Sequence, residues 1–314
     1  MMRFAYNTNG CANHRLDDAL TLIAEAGYDG VALTLDHHHL DPFADTWQAE
    51  ARALRRRLDT LGLGVIIETG ARYLLDPRQK HEPTLVNPMP EGRARRVAFL
   101  TRACDICEIL GGEAVSFFSG VPQDGVAPED ARVWLLDGVA AVADHAASRG
   151  VTVALEPEPG HLIATCDDFA ALSRDLAERT AAPLTMALDT GHCLVTGEVE
   201  PEAAVETFAP VLGTVAIEDM SRGVHEHLPF GTGDMDIPAI LRAPLRANKR
   251  ETIKWLKFTL EGAGERTHGH AFTDAAFAGC GIRQFNSRRH TCPYRNRTGG
   301  PHGRADKHAK AAQL

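Results

Sequence analysis

Residues 61–68, LGLGVIIE, close one helical pattern and open a strand, and the same junction returns at 110–118 as LGGEAVSFF and at 149–156 as RGVTVALE. Helical spacing of apolar residues over 45–61, 91–110 and 128–149 leads into the three junctions. Glycine stops each helix, and a short aliphatic run follows it. Working outward, Leu16, Ala19, Leu20 and Ile23 stand at helical spacing before Gly27 and the run YDGVALTL, with RFAYNT ahead of them at 3–8. Toward the other end, a helix at 167–179 precedes LTMALD, one at 200–209 precedes GTVAIED, and KFTLE at 257–261 reads as the last strand. These strands are apolar throughout rather than alternating, as parallel strands covered on both faces are. Eight βα units in about 250 residues have the size of a (β/α)8 barrel. A doubly wound open sheet is the rival, but NTNGCAN after the first strand is not the glycine-rich phosphate fingerprint G-x-G-x-x-G. The expected class is therefore α/β, a (β/α)8 TIM barrel over 1–262, followed by a tail at 263–314.

That tail differs in kind. It holds nine basic and three acidic residues, a surplus of six in a chain of net charge −9, which leaves −15 on residues 1–262. Its low apolar content predicts a basic, poorly ordered segment, or a stretch read in a shifted frame. An acidic barrel repels polyanions, so nucleic acid is not expected as a partner. No apolar run reaches the ~18–20 residues of a membrane span, and the opening MMRFAYNTNG carries no export signal, so a cytoplasmic protein is expected. Seven scattered cysteines fit reduced thiols, and Cys104 and Cys107 fit helix packing better than a metal or redox motif.

Barrel enzymes place their chemistry where strands end. Here the strand ends are acidic: Glu68, Glu156 with Glu158 beyond it, Asp189, Glu218 with Asp219, and Glu261. Such groups need a cation or hydrogen-bond donors in a low-dielectric centre. His192 follows Asp189 by three, and His225 and His227 lie in the loop after the seventh strand. Imidazole and carboxylate together suit Mn, Zn, Co or Fe better than Mg. Plainer roles exist for each part: Asp189 as a helix N-cap, the loop histidines as solvated side chains. Of His37, His38 and His39, at most one is expected to touch a ligand, with His38 the candidate. Arg72 and Lys80, after the third strand, are candidates for an anionic substrate group. The assignment requires that the acidic ends converge and are not neutralised by arginines or lysines.

ALEPEPG at 154–160, MALDTGH at 186–192 and HEHLPFGTGDMD at 225–236 resemble the sugar phosphate isomerase/epimerase superfamily, the xylose-isomerase-like barrels that include the zinc-dependent AP endonucleases. The resemblance implies a metal-binding glutamate at Glu156, an aspartate at Asp189, a metal or substrate histidine at His192 and a strand-eight glutamate at Glu261. The family's strand-seven metal histidine falls on Ala216, so Glu218, His225 or His227 are the replacements to consider. What it implies is a divalent-metal-dependent isomerase or epimerase acting on a sugar or sugar-phosphate hydroxy-ketone through an enediolate, with Glu156 and Glu261 as acid and base. Glu68 and Glu158 are expected to bind substrate hydroxyls. A dehydratase on the same intermediate, an endonuclease-like phosphodiesterase and a non-catalytic metabolite-binding barrel are the alternatives. Self-association into a homo-oligomer is also expected.

Overall fold

Eight parallel strands close on themselves in chain order in the computed structural model, which describes residues 3–246 and 255–258. They are β1 (Arg3–Asn7), β2 (Gly30–Thr34), β3 (Gly64–Glu68), β4 (Ala114–Phe118), β5 (Thr152–Glu156), β6 (Leu184–Asp189), β7 (Leu212–Ile217) and β8 (Trp255–Phe258). Pairing of β8 with both β7 and β1 leaves no edge strand exposed. Around them lie α1 (Leu16–Glu25), α2 (Trp47–Leu61), α3 (Pro90–Leu110), α4 (Pro128–Ser148), α5 (Cys166–Leu176), α6 (Thr190–Thr196), α7 (Pro201–Phe208) and α8 (Ile237–Arg246).

The expected helices differ from these by a few residues at their ends. The eighth strand needs a larger correction: it starts at Trp255 and is described to Phe258, not 257–261, because the apolar Trp255 and Leu256 belong to the barrel wall. Asp189 does cap a helix, since the turn DTGH runs directly into α6. α8 was not expected: it carries Pro244 inside it, a residue that sequence rules place at helix boundaries. The proposed tail and the boundary at 262 lie outside the described residues.

Apolar residues divide into two clusters. The larger fills the layer between strands and helices and includes the buried Cys104 and Cys107 of α3. The smaller, Ala5, Ala32, Ile66, Ala114 and Trp255, lies on the other face of the strands, inside the barrel. Its small residues make room for one indole. A Cβ added at Gly30 or Gly64 would stand 2.5 or 2.6 Å from the Trp255 ring, so both positions require glycine. Two residues further along, strand alternation turns the same interior polar: Thr34, Glu68, Ser116 and Lys257, all buried. That change marks the C-terminal mouth. Over it, the long connection 69–89 is held by the buried Arg96 of α3, which donates to the carbonyls of Pro83 (2.7 Å) and His81. Among the described residues, no helix is long and apolar enough to cross a membrane.

Candidate active site at the C-terminal mouth of the barrel

Glu156 is the last residue of β5 and Asp189 the last of β6. Because α6 begins immediately after Asp189, its Oδ1 accepts the Gly191 N–H at 2.8 Å and caps the helix, leaving Oδ2 for the mouth. One helical turn brings His192 back over Asp189. Its Nδ1 donates to the Pro157 carbonyl at 2.8 Å, so Nε2 is left facing Glu158 Oε2 at 3.8 Å and Asp189 Oδ2 at 3.9 Å. Ligand atoms of Glu156, Asp189 and His192 lie within 4.8 Å of one another, as do those of Glu158, His192 and His225. His192 is thus common to an inner and an outer group; it is itself 5% exposed, whereas the outer group opens to solvent at the exposed His225.

Glu218, just beyond β7 and 1% exposed, hydrogen-bonds to Asp189 and to His227 Nδ1. The loop that carries the two histidines is organised by Asp219. Its buried carboxylate accepts the backbone N–H groups of Gly231 (2.7 Å), Gly233 (3.1 Å), Thr232 (3.2 Å) and Met235 (3.3 Å). A Cβ at Gly233 would meet Asp219 Oδ1 at 2.3 Å, which explains the glycine in GTGD. His225 Nε2 comes to 3.9 Å from Glu158 Oε1.

Lys257 was not foreseen as a site residue. From β8 its Nζ reaches 3.1 Å from Glu68 Oε2 and 3.7 Å from Glu156 Oε2. Glu68 Oε2 also accepts the Ser116 hydroxyl at 2.5 Å. The signal was present as a lysine inside the otherwise apolar run WLKF. The condition that no lysine neutralise the acidic ends is therefore broken for Glu68 and in part for Glu156. Asp189 and Glu218 pair directly with histidine, backbone and one another.

Titration reflects this crowding. Burial pushes the Glu156 carboxyl up to about 7, against the pull of Lys257 and His192. Asp189 goes the other way, down to about 2: burial raises it, but His192, the Glu218 hydrogen bond and Lys257 outweigh burial. Glu218 is raised well above the usual carboxylate range by burial and by the charge of Asp189. His192 is raised because Asp189, Glu158 and Glu156 overcome its desolvation, and His225 is lowered by burial and by His192.

The other expected residues are less closely tied to this centre. Arg72 is exposed in the loop after β3, where its carbonyl accepts the His81 N–H, and Lys80 is exposed as well. His38 is exposed and groups with Asp36 and His37. Glu261 lies outside the described residues.

The donor set fits a divalent ion. Among the described residues, four buried or nearly buried carboxylates, Glu68, Glu156, Asp189 and Glu218, face one ammonium, Lys257, and two imidazoles, His192 and His227, and burial pushes two of the four toward protonation. Glu156, Asp189 and His192 are the residues that would hold it, with oxygen and imidazole donors that suit Mn, Zn, Co or Fe.

Residues 20–249 match the family described as xylose isomerase-like TIM barrel. The chain belongs to this family. The matched stretch ends before β8, so Lys257 lies beyond it. This xylose isomerase-like barrel is 25% identical over 244 residues to the 2-oxo-tetronate isomerase of Cupriavidus necator, covering 76% of this chain and 85% of that one. The 3-keto-D-glucoside 4-epimerase of E. coli has the same fold, with a TM-score of 0.68 at 17% identity over 88% of this chain and 98% of the other. So does the IOLI protein, solved with a zinc atom bound, at a TM-score of 0.64 and 16% identity over 89% and 95% of the two chains.

Proposed function

We propose that this barrel is a divalent-metal-dependent isomerase or epimerase of a small sugar-derived hydroxy-ketone. The convergence of Glu156, Asp189 and His192 at the barrel mouth carries the reading, and the isomerase relative supports it over phosphodiester cleavage. When bound, the metal supplies a Lewis-acid charge that makes the C–H beside a carbonyl more acidic. The chain's own residues do the rest. Glu156, at the end of β5 beside the proposed ion, can take or return a proton at its Oε atoms. His192, with Nδ1 committed to Pro157, presents Nε2 to a metal or a substrate hydroxyl. Glu158 and His225 at the outer edge are placed to orient the remaining hydroxyls. Glu261 is the proposed partner of Glu156 on the opposite face of the substrate, and Glu218 with His227 the replacement for the histidine missing at Ala216.

The test is a crystal soaked with Mn2+ and read by anomalous scattering, paired with deuterium exchange into candidate hydroxy-ketones. An ion among Glu156, Asp189 and His192, with label at the carbon next to the carbonyl, supports the proposal. An ion bound elsewhere, or loss of water instead of exchange, overturns it.

A further inference from the structure

The barrel mouth holds a permanent cation of its own, and the chemistry above makes no use of it. Lys257 Nζ sits with 4% of its side chain exposed, between Glu68 at 3.1 Å and Glu156 at 3.7 Å. The barrel wall puts it there. Lys257 pairs with Ala216 on β7, and Ala216 pairs with Asp189 on β6, so the three form one row across adjacent strands. Trp255, two residues earlier on the same face, fills the space beneath. An ammonium buried this deeply persists only when flanked by anions, and its pKa is raised because Glu156, Glu68 and Asp189 overcome desolvation. Glu68 is the nearer partner and is itself tied to Ser116 and 6% exposed. Glu156 is therefore reached by two cation positions, Lys257 from β8 and the Asp189–His192 corner from β6 and α6.

Resting on the metal reading of the site, we infer that Lys257 is a positioning residue that shares Glu156 with the divalent ion and holds down the affinity of the site for it. An ammonium and a dication on one carboxylate repel each other strongly in a buried setting. Each also withdraws electron density that the other needs. Glu68 limits the conflict by drawing the ammonium to its own side, which leaves Glu156 partly free. In this role Lys257 replaces tight metal retention by exchangeable binding.

Calorimetric titration of Mn2+ into the metal-free full chain tests this, using the native protein, Lys257→Met, Lys257→Arg and the double variant Lys257→Met/Glu68→Gln. The double variant keeps the net charge of the site and removes the ion pair as a unit, so it serves if the single variant fails to fold. Tenfold or tighter Mn2+ binding in Lys257→Met and in the double variant, with Lys257→Arg close to the native value, is the expected result. Mn2+ binding by both methionine variants but not by the native chain supports the inference as well. Equal affinity in all four overturns it. So does native affinity in the double variant alongside a gain in the single one, since net charge would then be the whole cause. If none of the four binds Mn2+, the metal reading itself fails and the inference goes with it.

Discussion

His192 on α6 gives its Nδ1 hydrogen to the carbonyl of Pro157, the residue after β5, at 2.8 Å. That single bond joins two neighbouring strand ends and leaves Nε2 aimed at the carboxylates of Asp189 and Glu158. A histidine oriented in this way is a ready ligand, because its proton is already placed on the far nitrogen.

Asp189 has two jobs that substitution can separate. Asp189→Asn keeps an oxygen to cap α6 and removes the charge; Asp189→Ala loses both. Both variants are expected to lose metal binding and turnover. The alanine variant should lose about 1 kcal/mol more in stability from the missing cap. Calorimetric Mn2+ titration and thermal melts check the two effects; retained activity in either variant counts against the assignment.

Glu156, Glu218 and His192, all raised in the folded chain, should each withdraw stability from the apoprotein as pH rises, for Glu156 between about 4.5 and 7, because the folded state holds more protons at these groups than the unfolded chain. His39, His81, His161 and His225, lowered by burial, act oppositely, so a single group has to be isolated. Asp189, depressed to about 2, acts oppositely as well, and its contribution is lost only as pH drops from about 4 toward 2. Comparison of the native protein with Glu156→Gln isolates one group: their stability difference should change by about 3 kcal/mol between pH 4.5 and 7, and less with Mn2+ present. A difference independent of pH contradicts the raised Glu156 value.

Asp219 should govern the histidine loop without joining the chemistry. Asp219→Ala leaves four backbone N–H groups without their acceptor. A loss of about 2 kcal/mol is expected, softened where water replaces the carboxylate. Amide exchange should speed up over 228–236 while β1 to β6 stay protected. Unchanged exchange in that loop would show that other contacts hold it.

Gly30 and Gly64 face the Trp255 ring, and a methyl group at either forces the indole or a strand to move. Gly64→Ala should cost about 1–3 kcal/mol. Replacing Trp255 by Leu in the same chain should recover part of the loss, and denaturant titration of the two variants measures it. Simple additivity of the two substitutions would argue against this contact.

Much of the barrel was legible because glycine stops and aliphatic runs are local signals. LGLGVIIE and its repeats mark strands β3, β4 and β5 from a few residues each. Failures came where local rules compete. In α8, Pro244 sits within a helix, and in WLKF a lysine interrupts an apolar run, which pushed the expected start of the strand two residues too late. The proximity of Asp189 and His192 was legible in DTGH because three residues separate them, whereas the pairing of Glu68 with Lys257, 189 residues away, was not.

From its sequence alone, this chain determined the order of strands and helices, the acidic character of the barrel and the strand ends from which carboxylates project, since hydrophobic period, glycine stops and charge are properties of neighbouring residues. Which carboxylate meets which cation was decided only by closure of the barrel. Closure brings β3, β5 and β8 to a shared interior, where a lysine from the last strand lies between glutamates from the third and fifth, and where burial then separates the proton affinities of groups that are alike in water.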